Sequence, residues 1–167
     1  MVVPFFPNCP IPLVPKHGKT ILQVAALPFV AGKSGYELVL ITSRNDGRWL
    51  IPKGWPEDGE SLEAGAAREA REEAGIVGDI HGDPVGAYVY MKLLASGERI
   101  RSEVSVFPLL VRSLQSNWPE RVSRERRRVP LAKAVRRVGD KDLARLLREL
   151  NGKRADVLDA AHAALKS

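Results

Sequence analysis

Residues 54–76 read GWPEDGESLEAGAAREAREEAGI, and the rest of the chain is best read outward from them. The core of the stretch, Arg68-Glu69-Ala70-Arg71-Glu72-Glu73, sets three carboxylates at i, i+3 and i+4, positions that share one face of a helix. Such a face repels itself unless a cation lies against it. A divalent metal is the natural partner, and metals held by carboxylates commonly serve phosphate chemistry. The local signals agree with a helix. Ser61 is a suitable N-cap, and Gly75 is a natural C′ residue with positive φ. Leu62, Ala66, Ala70 and Ala74 recur every fourth residue, and their mostly small side chains let the helix approach a sheet closely. Gly65, inside the helix, costs roughly 1 kcal/mol relative to alanine and suggests only tight packing.

Upstream, residues 18–30 are rich in β-formers and predict a strand, with Pro28 pointing to an edge or a bulge. Lys33-Ser34-Gly35 is a turn, and residues 36–42 (YELVLIT) predict a strand buried on both faces. Asn45-Asp46-Gly47 is a strong turn signal, followed by a short strand over 48–51 that Pro52 stops. Downstream, residues 84–92 and 100–111 predict a β-hairpin around Ala95-Ser96-Gly97. Helices are expected over 130–138, 141–150 and 155–165, the second carrying an apolar stripe of Leu143, Leu146, Leu147 and Leu150. This order predicts an α+β fold, a sandwich built on a mixed sheet. Residues 18–167 read as a single domain preceded by a proline-rich arm, 1–17.

The chain has 167 residues, enough for one real core, with 44% hydrophobic and 28% charged residues, ordinary for a soluble globular protein. No apolar run approaches the roughly 18 residues a membrane span needs. The apolar start, MVVPFFPNCPIPLVP, is broken by prolines and reads as an extended arm, not a signal peptide, so the cytoplasm is the expected location. A single cysteine, Cys9, excludes an intrachain disulfide and any multi-cysteine metal site. Net charge is +6, and residues 112–137 hold nine Lys/Arg against two acidic residues, so the rest is about neutral. That segment reads either as a solvated basic surface or as an electropositive rim for polyanions. Nucleic acid is a weaker reading, because zinc-finger spacing and an RNP motif are both absent.

The spacing of residues 54–76 resembles the Nudix box, G-x5-E-x7-R-E-U-x-E-E-x-G-U, with U a bulky aliphatic. Gly54, Glu60, Arg68-Glu69, Glu72-Glu73, Gly75 and Ile76 all fall in register, and Ala70 is the one soft departure. The resemblance implies a Nudix-like α/β/α sandwich and a metal-dependent hydrolase of phosphoanhydride bonds. It implies Mg²⁺, with Mn²⁺ as an alternative. Glu69, Glu72 and Glu73 would be the metal-binding and catalytic set, and Arg68 would orient them through ion pairs. Glu60 would support the metal site, and the carbonyl of Gly54 would be a backbone ligand. Glu103, on a later strand, is the candidate for an extra carboxylate outside the box. Independently of the family, Glu69 and Glu73 lie one helical turn apart and reach one metal cluster. The alternative is a catalytically silent Nudix-fold module that binds nucleotide or RNA.

The run from Arg48 to Pro56, RWLIPKGWP, is similar to the entry of Nudix enzymes acting on diphosphoinositol polyphosphates and dinucleoside polyphosphates. The expected partner is therefore a phosphate-rich small molecule. Lys53 and Arg44 are candidate phosphate contacts, and Arg99 and Arg101 with Lys92 form a candidate phosphate-reading patch. Trp49 is expected in the core, while Trp55 either stacks on a base or packs. Arg128 stands where similar chains often carry an aromatic, which tilts the reading towards phosphate-dense substrates.

Overall fold

The computed structural model describes residues 20–167; the arm at 1–17, with Cys9, and the start of the expected first strand lie outside them. Eight strands form one sheet: β1 (Thr20–Gly32), β2 (Gly35–Thr42), β3 (Trp49–Leu50), β4 (Lys53–Gly54), β5 (Ile76–Ile80), β6 (Gly86–Leu93), β7 (Arg99–Leu114) and β8 (Arg126–Pro130). Four helices flank it: α1 (Leu62–Ala74), α2 (Leu131–Arg137), α3 (Lys141–Leu150) and α4 (Ala155–Leu165). β1 and β7 run parallel at the centre, while β2, β4, β5, β6 and β8 join by antiparallel pairing, so the sheet is mixed.

Each sheet face has its own core. On one, Ala66, Ala70 and Ala74 of α1 pack against Val24, Ala26, Val39, Ile41, Phe107 and Leu109. On the other, the leucine stripe of α3 is buried, as its spacing predicts, against Ala25, Leu27, Tyr88 and Val104. The result is an α/β/α sandwich. The caps of α1 are those expected: Ser61 Oγ accepts from the amide of Ala64 (3.3 Å), and Gly75 closes the helix at φ 63°.

Three departures from the sequence reading have physical causes. Pro28 does not mark an edge. β1 is a central strand, and Ala26 donates to the carbonyl of Pro52 on its β4 side. Pro28, two residues on, turns its missing N–H the same way, between the β4 pairing at Val24–Ala25 and the β2 pairing that starts at Phe29. The β1–β2 hairpin opens there, and residues 49–54 wedge into the gap, pairing with β2 through Trp49–Leu50 and with β1 through Lys53–Gly54. Second, β5 follows directly on Gly75, where no strand is expected, and completes the sheet beside β7. Third, the arginine tract 126–130 is a strand, β8, paired to β2 with Val129 buried opposite Leu38. Its composition hides it, since an edge strand can carry exposed arginines ahead of a single buried anchor. As a consequence α2 begins at Leu131, with Pro130 still in the strand.

β5 carries a bulge between Val77 and Gly78, and a Cβ on Gly78 would lie 2.2 Å from the carbonyl oxygen of Leu110. Gly78→Ala is therefore expected to push β5 off β7 and to cost about 1–3 kcal/mol. The check is urea unfolding, with a lower midpoint at unchanged m.

Candidate active site

Where β1 and β2 part, a cleft of about 700 Å³ opens between the wedge, α1 and the β6 side of the sheet. Glu69 and Glu73 reach it from α1, Lys53 and Gly54 from the wedge, Tyr88 and Tyr90 from β6. Gly54 is required by space. A Cβ there would fall 2.2 Å from the carboxyl carbon of Glu69, so only a bare backbone lets that carboxylate lie against β4. Gly65 has an analogous role, because a Cβ would stand 2.8 Å from Glu60 Oε1 and 3.4 Å from Val24.

The two buried carboxylates are each held by an arginine. Arg68 Nη1 donates to Glu69 Oε1 (2.9 Å), while its Nε and Nη2 bind Glu60 and its Nη2 also binds the carbonyl of Trp55. Burial nevertheless lifts the Glu69 carboxyl above its ordinary range, with Arg68 opposing and Glu72 and Glu120 adding to the shift. Glu73 Oε1 accepts from Arg124 Nη2 (2.8 Å) and its Oε2 from the backbone amide of Lys53 (3.2 Å). Burial pushes the Glu73 carboxyl up to about 7; Arg124 and the Lys53 amide oppose this, and Glu69 and Glu120 reinforce it. Glu60, by contrast, is held low by Arg68 and the amide of Glu57.

The structure separates the expected site residues into two groups. Glu69, Glu73, Gly54, Lys53 and Arg44 line the cleft. Lys53 Nζ lies over the ring of Tyr90 (4.7 Å), Lys92 Nζ lies over Trp55 (5.0 Å), and Arg44 pairs with Glu120 at the rim (3.4 Å). Glu60 and Glu72 do not line it. Glu60 anchors Arg68, and Glu72, with 45% of its side chain exposed, reaches only Arg68 at 3.4 Å. Arg99 and Arg101 do not line it either. Lys92 pairs in register with Ile100, so Arg99 and Arg101 alternate to the other side of β7. There Arg101 meets Glu103 at 3.5 Å, and Glu103, also outside the cleft, keeps a buried Oε1 that accepts no hydrogen bond among the described residues. Arg128 pairs with Glu37 (2.6 Å), away from the cleft. Trp55 is half exposed at the rim rather than packed, and Trp49 is partly buried between Arg127 and Arg137.

Sequence reasoning did not single out Arg124, Trp118, Glu120 or Gln23. Arg124 is almost sealed, with 7% of its side chain exposed, and also binds the carbonyl of Thr42 and Glu120. Trp118 donates its indole N–H to the carbonyl of Glu73 (3.1 Å). One of nine basic residues in the segment 112–137 becomes the counter-ion of Glu73, and nothing in the local sequence distinguishes it. Lys92 was among the expected residues, and Tyr88 and Tyr90 were legible in principle beside it, since a period of two sets all three on one face of β6.

Hard oxygen donors, two buried carboxylates one turn apart and a bare backbone at Gly54 fit a small divalent cation. Among the described residues no three acidic or imidazole side chains already converge on one point. The carboxylates are turned instead to their arginines.

The NUDIX domain family model matches residues 21–150. The chain belongs to the NUDIX family. It is 34% identical over 116 residues to the chloroplastic Nudix hydrolase 21 of Arabidopsis thaliana, covering 67% of this chain and 57% of that protein. It is 30% identical over 106 residues to the diphosphoinositol polyphosphate phosphohydrolase 3-alpha of Mus musculus, covering 64% of this chain and 60% of the relative. The chain thus spans rather more than half the length of these curated relatives. Among solved structures, the C. elegans Ap4A hydrolase aligns with a TM-score of 0.58 at 20% identity, over 80% of this chain and 97% of that one. The NUDIX domain of Shewanella oneidensis NrtR, complexed with ADP ribose, aligns with a TM-score of 0.60 at 21% identity, over 82% and 90% of the two chains. These likenesses establish the NUDIX fold. Among the described residues no helix is long and apolar enough to cross a membrane.

Two outcomes follow from the geometry. Gly54→Ala is expected to expel Glu69 and to abolish any rise in Tm on addition of Mg²⁺, with the circular dichroism spectrum unchanged. Arg124→Met leaves Glu73 buried without its counter-ion, and is expected to cost about 3–5 kcal/mol in urea unfolding.

Proposed function

We propose that this protein hydrolyses a phosphoanhydride bond in a nucleoside- or inositol-linked polyphosphate, with Mg²⁺ as its cofactor and Mn²⁺ as an alternative. The observation that carries this reading is the pair Glu69 and Glu73. Both are mostly buried on the wall of one cleft, and neither has a fixed metal-like partner except an arginine. The intact box and the relatives named as hydrolases support it.

Glu69, Glu73 and the Gly54 carbonyl would hold the cation, which when bound neutralises anhydride oxygens and lowers the pKa of water. The chain's own residues do the rest. Arg68, fixed by Glu60 and the Trp55 carbonyl, orients Glu69. The Lys53 amide orients Glu73, and the ammonium groups of Lys53 and Lys92, with Arg44, supply positive charge along the phosphate path. Of Glu69, Glu72 and Glu73, Glu72 is the most exposed and most weakly held, and it is the one free to turn and take a proton from the attacking water.

The basic segment gives little support to an RNA-binding module. Arg124 binds Glu73, Arg126 binds the carbonyls of Ala74 and Gln115, Arg128 binds Glu37, and Arg112 binds Asp79 and the carbonyl of Leu165. These four of its nine basic residues serve the fold.

The test is turnover of diadenosine tetraphosphate, ADP-ribose and a diphosphoinositol polyphosphate, with and without Mg²⁺. Glu73→Gln is expected to lower kcat at least about 100-fold and to lose the Mg²⁺-induced rise in Tm. Glu72→Gln is expected to lower kcat about as much while keeping that rise. Cleavage without added metal, or a Glu73→Gln variant as fast as wild type, sinks the reading.

A further inference from the structure

Gln23 lies at the base of the cleft and is only 3% exposed. Side chains of β1 alternate between the two layers. Val24 and Ala26 pack under α1, while Ala25 belongs to the opposite core, and Gln23 faces that second side. Its Oε1 accepts from both Tyr90 Oη and Ser102 Oγ, the latter at 2.9 Å. An amide oxygen has two lone pairs, and both are taken. The amide is therefore fixed, with Nε2 directed away from the two hydroxyls. No acceptor among the described residues receives Nε2, and it is not one of the sealed atoms that lack a partner. Its N–H groups open into the cleft.

A buried, rigidly held amide donor without a protein acceptor is a place where a ligand completes the hydrogen bonding. Its location says which part of a ligand that is. Lys53 joins the two ends of the cleft: its backbone amide is on Glu73 (3.2 Å), and its Nζ is over the ring of Tyr90, the residue that pins Gln23. Phosphates drawn to the cation that Glu69 and Glu73 would hold and to Lys53 would set the next group of the ligand beside Gln23. The surface around that end is formed by Tyr88 and Leu143 together with Asp140, whose carboxylate accepts from the amide of Leu143 (2.9 Å) and repels phosphate. An inositol ring carrying phosphates on every side would set anions against that surface. A planar heterocycle would cover it.

We propose that Gln23 is a specificity-determining residue, whose amide donates to a carbonyl oxygen or ring nitrogen of a nucleobase attached to the polyphosphate. This rests on the anhydride-hydrolase reading above and narrows its substrate to the nucleoside-linked class. Tyr90 and Ser102 act through Gln23 as positioning residues.

The experiment compares KM and kcat of wild type and Gln23→Met on diadenosine tetraphosphate, ADP-ribose and inorganic tripolyphosphate, all with Mg²⁺. Methionine keeps the length and removes the donor. KM for the better nucleoside substrate is expected to rise about tenfold, with kcat within about twofold and KM for tripolyphosphate unchanged. KM does not depend on the folded fraction, so partial misfolding does not imitate this result. Gln23→Glu keeps the acceptor for Tyr90 and Ser102, and should show the same preferential loss on the nucleoside substrate. An unchanged KM in Gln23→Met, or equal increases on tripolyphosphate and the nucleoside substrate, overturns the assignment. So does a wild type that cleaves tripolyphosphate as efficiently as the nucleoside compounds, although the hydrolase reading then stands. A wild type that cleaves none of the three overturns the assignment, and the hydrolase reading falls with it only if a diphosphoinositol polyphosphate is also left intact.

Discussion

Two carboxylates buried within one helical turn of each other repel, and each loses hydration it would have in water. The molecule answers this with two guanidinium groups. Arg68 comes from the same helix and is fixed by Glu60; Arg124 comes from the segment before β8 and is fixed by the carbonyl of Thr42 and by Glu120. Neither arginine fully offsets burial, since both carboxyls remain above their ordinary range. A site held in this way is built for a further positive charge. The arginines keep the glutamates from facing each other alone.

The same requirement explains how the backbone is arranged. Glu69 needs a neighbouring position with no side chain, and Gly54 provides it only because residues 49–54 wedge between β1 and β2. The hairpin opens at Pro28, which has no N–H to offer to a continuous ladder on that side. The wedge then brings the Lys53 amide to Glu73 and the Lys53 side chain to Tyr90. One short segment thus sets both the carboxylate end of the cleft and the end at Tyr90. The excess of positive charge over 112–137 is partly drawn into the same construction, with Arg112, Arg124, Arg126 and Arg128 bound to carbonyls and carboxylates of the fold.

Much was legible in residues 54–76 alone. The Ser61 cap, the Gly75 terminus and the alanine repeat of α1 depend on local geometry, as does the leucine stripe of α3, and local geometry is written in sequence spacing. β5 and β8 were not legible. Gly78 and Asp79 interrupt the β-formers of β5, and Arg126, Arg127 and Arg128 give no strand signal of their own; both segments become strands because β7 and β2 present open edges to them.

The sequence by itself determined the family, the helix that carries Glu69, Glu72 and Glu73, and the kind of chemistry those carboxylates suit. These rest on residue types at fixed short intervals along one helix. Only the tertiary structure decided which of the nine basic residues in 112–137 opposes Glu73, that Arg99 and Arg101 turn away while Lys92 does not, and that Gln23 is held with its amide facing the cleft. Those outcomes depend on strand register and on contacts between residues far apart in the chain, Gln23 with Ser102 and Glu73 with Arg124, which no local spacing encodes.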